Sequence, residues 1–185
     1  DRSALPCFGL NEMGFDHSRG LITKDEVRAA VIHALHPPPR GVLWDIGAGC
    51  GSVSIEAARL APGLAVYAVE KDEVQAGYIS ANKIRFGAAN VNVINGRAPE
   101  ILASLPAPDR AFIGGGGKET RSIIDGVSQR MAKGVIVITA VTLETLNDAI
   151  GSLEEGGYMV DIAQIGVSRS KPLAGRKQIV PLLEE

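Results

Sequence analysis

The sequence predicts an α/β fold: a mostly parallel, seven-stranded sheet with helices on both faces and an antiparallel hairpin at one edge. Three observations carry this expectation. Short apolar runs alternate with longer, helix-periodic runs through most of the chain. The last two apolar runs have no helix between them, which suits a hairpin. Hydrophobic residues make up 45% of 185 residues, with no long polar stretch. That is enough for one domain with a real core, and it excludes extended disorder.

Residues 1–22 are irregular and rich in Gly, Pro and turn formers. They read as an N-terminal arm or an interdomain connector, and residues 23–185 as the domain itself. Thr23-Lys24-Asp25-Glu26 precedes an apolar-periodic run and matches a capping box, with Thr23 as the cap and Glu26 reaching back. The helix it opens runs to about His36, where Pro37-Pro38-Pro39 stops it. Gly41–Ile46 reads as a buried strand and Ser52–Leu60 as a helix. Leu64–Val69, Asp72–Phe86 and Val91–Ile94 continue the pattern as strand, helix and strand. A short helical stretch follows near Pro99–Ser104. Arg110–Ile113, Glu119–Ala132, Gly134–Ala140 and Leu143–Leu153 alternate strand and helix again. Tyr158–Val167 and Lys177–Leu183 read as two closing strands around a polar loop.

Composition narrows the function. The net charge is −2 and the sequence pI about 6.0. No Lys/Arg-rich run stands out, so nucleic acid is not the expected partner. No apolar stretch is long enough to span a membrane, and no signal peptide opens the chain. Cys7 and Cys50 are too few for a disulfide framework, and with His17, His33 and His36 they do not space as a metal site. A reduced, cytoplasmic setting follows.

The sharpest chemical signal is Asp45-Ile46-Gly47-Ala48-Gly49-Cys50-Gly51-Ser52, between the first strand and its helix. Glycines there permit a tight turn and close approach of a ligand to backbone, and the helix N-terminus attracts an anion. That anion is a pyrophosphate or an amino-acid carboxylate. Dinucleotide binders use G-x-G-x-x-G. This chain has G-x-G-x-G with an acidic lead-in, the pattern of Rossmann-like class I methyltransferases that use S-adenosyl-L-methionine. Glu70 ends the second strand, 19 residues after Gly51, where a carboxylate can accept from both ribose hydroxyls. Cys50 reads as a small loop residue. His33 and His36 share a helix face but lack a third ligand. A third signal is Gly114-Gly115-Gly116-Gly117-Lys118-Glu119 after the fourth strand, where parallel sheets place ligands.

With these residues in view, the chain resembles the carbon-15 methylating, decarboxylating precorrin methyltransferases of cobalamin (vitamin B12) biosynthesis. These are the CbiT family and the C-terminal domain of the precorrin-6Y C5,15-methyltransferase CobL. The likeness spans roughly residues 20 to 170. It rests on Thr23 to Arg28, Asp45 to Ala57, Ala68 to Lys71, Ala98-Pro99-Glu100, the Gly114–Gly117 loop, Thr139-Ala140 and Leu143-Glu144-Thr145. It implies that S-adenosyl-L-methionine contacts Thr23, Asp45, Gly47, Ala48, Gly49, Cys50, Gly51, Glu70, Lys71, Arg97 and Ala98. Its carboxylate is expected at the loop, its ribose at Glu70 and its adenine near Ala98. Where the family often has Asp before that alanine, this chain has Arg97, which supplies no carboxylate for the adenine amine, while the Ala98 backbone N–H can still serve the base.

The resemblance also implies a tetrapyrrole substrate near Gly114, Gly115, Gly116, Gly117, Lys118 and Thr139. Arg169, Lys171 and Arg176 are candidate anchors for its carboxylates. It implies an upstream domain methylating carbon 5 in a longer chain, and a homo-oligomer, often a tetramer. No general acid or base stands out, and none is needed for in-line methyl transfer to an electron-rich ring carbon. The rival readings are a methyltransferase of the same class acting on RNA or protein, a nicotinamide-dependent oxidoreductase, and a non-catalytic nucleoside-binding domain. No Asn-Pro-Pro-Tyr motif supports the first, and the glycine spacing opposes the second.

Overall fold

The computed structural model describes residues 5–18, 20, 22–115 and 117–182. Strand β1 (Arg40–Ile46) sits at the centre of a parallel sheet. It pairs with β2 (Gly63–Glu70) on one side and β4 (Arg110–Ile113) on the other. β3 (Val91–Asn95) and β5 (Val135–Ile138) complete the order β3-β2-β1-β4-β5. The crossovers are α2 (Ser52–Leu60), α3 (Glu73–Phe86), a 3-10 turn at Glu100–Ser104, and α4 (Thr120–Arg130). α1 (Asp25–Leu35) precedes the sheet, and α5 (Leu143–Glu155) follows β5.

Strand side chains alternate between faces, so each strand feeds two cores. On one face Leu43, Leu64, Val66 and Val91 pack against Val31, Leu35, Ile55 and Ile79 of α1, α2 and α3. On the other Trp44, Ile46, Ala111 and Ile113 pack against Ile123, Ile124 and Val127 of α4, with Ala149 of α5. Trp44 is fully buried, and its ring N–H donates to the Pro106 carbonyl at 3.0 Å.

The segment before α1 folds against the first of these cores. Leu10 and Phe15 are buried there, and Phe15 stacks on Phe86 with centroids 4.4 Å apart. Two buried charges fasten it. The Glu56 carboxylate of α2 accepts from the Gly9 and Leu10 N–H groups, and from Arg28 of α1. Arg28 in turn donates to the Leu10 and Thr23 carbonyls.

Three expectations need correction. The sheet has five strands, and the antiparallel pair β6 (Ser168–Leu173) and β7 (Arg176–Pro181) forms a separate two-stranded sheet. Residues 158–167 form no strand, despite their β-branched content, because no neighbouring strand pairs with them. The predicted polar loop is instead the hairpin itself. Its turn is Ala174-Gly175, both at positive φ (44° and 78°), the conformation that a two-residue hairpin turn requires. The capping box is also absent. Lys24 occupies the N-cap without a side-chain bond, and the Glu26 carboxylate turns away to accept from Arg169 at 2.6 and 2.9 Å.

Candidate active site

The glycine loop leaves the carboxyl end of β1 as a chain of left-handed turns. Gly47, Gly49 and Gly51 all have positive φ (73°, 55° and 82°). Alternate glycines are what such a path needs, since side chains with a Cβ are strained there. Crowding enforces two of them. A Cβ on Gly51 would lie 2.9 Å from Ile79 Cγ2, and one on Gly47 would lie 3.0 Å from the Gly115 nitrogen. The loop therefore packs directly on the multi-glycine loop after β4. Gly47 N and Ala48 N both donate to the Val69 carbonyl of β2, at 3.0 and 3.1 Å.

Two carboxylates brace this turn. Glu70, at the end of β2, accepts from Gly49 N through one oxygen and from Asp72 N through the other, each at 2.9 Å. Asp45 lies fully buried beneath the loop. Its Oδ2 accepts from the Ser54 N–H at 3.0 Å and the Ser54 hydroxyl at 2.5 Å, while its Oδ1 has no partner. Burial, only partly offset by those Ser54 bonds, pushes its carboxyl up to about 6. Burial likewise pushes the Cys50 thiol up to about 11, so it is neither a ready nucleophile nor a metal ligand.

Beside the loop is a cavity of about 140 Å³, continuous with a more open cleft of about 420 Å³. Ile46, Val69, Ala98 and Ile123 give the cavity apolar walls; Gly47, Glu70, Lys71, Arg97, Gly115 and Glu119 also line it. Lys71, Arg97, Gly115, Gly117, Lys118 and Glu119 line the cleft. The structure thus brings Gly47, Glu70, Lys71, Arg97, Ala98, Gly115, Gly117 and Lys118 together. Asp45, Gly49 and Gly51 support the same loop from behind. Thr139 follows β5, its N–H donating to the Ile113 carbonyl at 3.1 Å, so it too lies at the carboxyl end of the sheet. Gly116 lies outside the described residues.

The cations of the hairpin are placed differently. Arg169 is clamped by Glu12 and Glu26, which raise its pKa. Lys171 and Arg176 have no ion-pair partner among the described residues. Two features escaped the sequence reading. One is the buried Arg28–Glu56 pair, signalled only by charges at helix positions flanked by apolar residues. The other is the pairing of Glu119, the last residue of the third sequence signal, with Arg97 across the cavity. No sequence signal links residues so far apart.

Among the described residues no helix is long and apolar enough to cross a membrane, and no cluster of three or more His, Cys, Asp or Glu could hold a metal ion.

Comparison with known proteins follows the same line. A family model for the precorrin methyltransferase domain matches residues 14–184. A probable cobalt-precorrin-6B C(15)-methyltransferase (decarboxylating) of Pyrobaculum calidifontis is 43% identical over 166 residues, covering 88% of this chain and 85% of its own. The precorrin-6Y C(5,15)-methyltransferase [decarboxylating] of a Sinorhizobium species is 36% identical over 170 residues, covering 90% of this chain but 40% of its own. The crystal structure of precorrin-6y C5,15-methyltransferase from Geobacter metallireducens superposes with a TM-score of 0.90 at 43% identity, covering 96% of this chain and 92% of that one.

Proposed function

The chain belongs to the precorrin methyltransferase domain family, and we propose that it methylates a precorrin at carbon 15 with decarboxylation of the carbon-12 acetate, in cobalamin biosynthesis. The observation that carries this reading is the loop of left-handed glycines, fastened through Gly49 to Glu70 and opening on a partly apolar cavity. The methyl donor is S-adenosyl-L-methionine, which supplies an electrophilic methyl on a sulfonium, and S-adenosyl-L-homocysteine is the product.

The residues fit that donor. Asp45 Oδ1 is a buried oxygen in want of a proton donor, which an ammonium group or a water can supply. The carboxylate of Glu70 still has lone pairs for ribose hydroxyls after its two backbone bonds. Ala98 and Ile123 offer apolar surface to a purine. Thr23, Ala48, Gly49, Cys50 and Gly51 surround the amino-acid end; Lys71, Arg97 and Ala98 surround the base.

The precorrin lies over the Gly114–Gly117 loop and Thr139, and Lys118 meets one of its carboxylates. The protein holds the ring carbon in line with the methyl, and the conjugated macrocycle accepts the electron pair released with carbon dioxide. Arg169 is already neutralised by two acids, which leaves Arg176 and Lys171 as the hairpin's anchors. The Sinorhizobium relative, longer than this chain, supports fusion to a carbon-5 methylating domain as one setting for this unit. The apolar residues Met159, Ile162, Ile165, Leu173 and Ile179, all exposed, support a homo-oligomer, a tetramer being the expected form. The cytoplasm is the proposed compartment.

The test is mass spectrometry of a reduced precorrin incubated with this protein and methyl-labelled donor. Gain of one labelled methyl with loss of one carboxyl is the expected result. Donor-product binding without any change in the tetrapyrrole would sink the substrate assignment.

A further inference from the structure

The cavity beside the glycine loop holds an acceptor, on Glu119, and a donor, the Ala98 N–H, that have no partner among the described residues. Glu119 occupies the N-cap position of α4, yet its side chain caps nothing. It turns into the cavity, where one carboxylate oxygen accepts from the Arg97 guanidinium. The other oxygen has no partner among the described residues. Glu70, the second carboxylate of the cavity, is tied by both oxygens to backbone N–H groups and keeps its remaining lone pairs for the ribose. Ala98 lies on the same wall and is buried, and its N–H makes no hydrogen bond among the described residues. A buried backbone N–H without a partner is uncommon unless a ligand or water completes it.

A free acceptor and a free donor on one apolar-walled cavity suit one edge of adenine. That edge presents an exocyclic amine, a donor, next to a ring nitrogen, an acceptor. Arg97 cannot meet the amine itself, because a guanidinium has no acceptor. It can fix the carboxylate that does.

Resting on the methyl-donor reading, in which the Ala98 N–H meets a ring nitrogen of the donor's adenine, we propose that Glu119, held by Arg97, recognises the neighbouring exocyclic amine. Arg97 is then a positioning residue. Glu119 makes the site selective for adenine over purines that lack the amine.

The experiment is calorimetry with S-adenosylhomocysteine and with its analogue carrying hydrogen in place of the amine, on the wild-type protein, Glu119→Ala, Glu119→Gln and Arg97→Ala. A hydrogen bond to a charged, partly exposed group is worth about tenfold in affinity. The wild type should therefore prefer adenine by about tenfold. Glu119→Ala should lose that preference while binding the amine-free analogue within about twofold of wild type. Glu119→Gln, which keeps an acceptor, should retain much of the preference, and Arg97→Ala should lose part of it. Equal weakening of both ligands by Glu119→Ala would mean a structural role and overturn the proposal. So would unchanged adenine preference. Failure of the wild type to bind either ligand would overturn the methyl-donor reading, and this one with it.

Discussion

Asp45 shows how a single buried side chain can brace the glycine loop at the expense of stability. Its carboxyl is fully buried, one oxygen is unpartnered, and its pKa is raised from 3.8 to about 6. A raised carboxyl pKa means that the folded chain binds the proton more tightly than the unfolded one. The stabilisation from protonation is fully present below pH 3.8 and lost as pH rises through about 6. A shift of this size amounts to about 3 kcal/mol, so the ionised form burdens the fold at neutral pH. Asp45→Asn keeps an acceptor for Ser54 and removes the charge. It should raise Tm by about 6–12 °C at pH 8, with a smaller gain at pH 4, and weaken S-adenosylhomocysteine at least about tenfold. Thermal melts at both pH values, with calorimetry, check it; a lower Tm at pH 8 would contradict the account. Asp45 and the glycines were legible in the sequence because a left-handed turn restricts residue type at each position. Glu119 was not, because its role comes from a pairing across the cavity, and an acidic residue before a helix reads equally well as a cap.

Between the elements, α1, α2 and the segment before α1 are joined by charge inside a hydrophobic layer. Arg28 and Glu56 are each about 1% exposed, and between them they engage Gly9, Leu10 and Thr23. Removing one partner of a buried pair leaves an uncompensated charge, which costs about 3–5 kcal/mol. Glu56→Ala should lose about that much in urea unfolding, and limited proteolysis should reach the chain near Gly9 far sooner. The exposed Arg121–Glu155 pair is the control: Arg121→Ala should leave the urea midpoint unchanged. A Glu56→Ala variant as stable as that control would mean the segment is held by Leu10, Phe15 and its other hydrogen bonds, such as those of Asn82 and Arg85 to Asp16. The central strands could be read from sequence because burial on two faces makes them continuous apolar runs. The hairpin and its last strand could be read as well, expected over Lys177–Leu183 and found over Arg176–Pro181, but its first strand could not: nearly every residue from Ser168 to Leu173 is exposed, so no alternation marks its faces.

The whole molecule pairs a closed core with an open flank. The five-stranded sheet is covered by helices on both faces, yet the region after α5 buries little. Met159 is fully exposed and Ile179 75% exposed, with Ile162, Ile165 and Leu173 also in solvent. Two strands alone are marginal in water, and exposed apolar strands invite pairing with another chain. Among the described residues, the hairpin's side-chain hydrogen bonds to the rest of the chain are those of Arg169 to Glu12 and Glu26. If copies of this chain cover one another's flanks, then sedimentation at micromolar concentration should give an oligomer. Ile179→Glu together with Met159→Glu should give a monomer with unchanged far-UV circular dichroism from the core. The same variant separates the two functions proposed for the molecule. S-adenosylhomocysteine binding, proposed at the loops after β1 and β2, should survive dissociation. Turnover of the tetrapyrrole should fall if Lys171 and Arg176 reach the substrate only within the assembly. A wild-type chain that sediments as a monomer would assign this apolar flank to some other partner and leave the donor site as it stands.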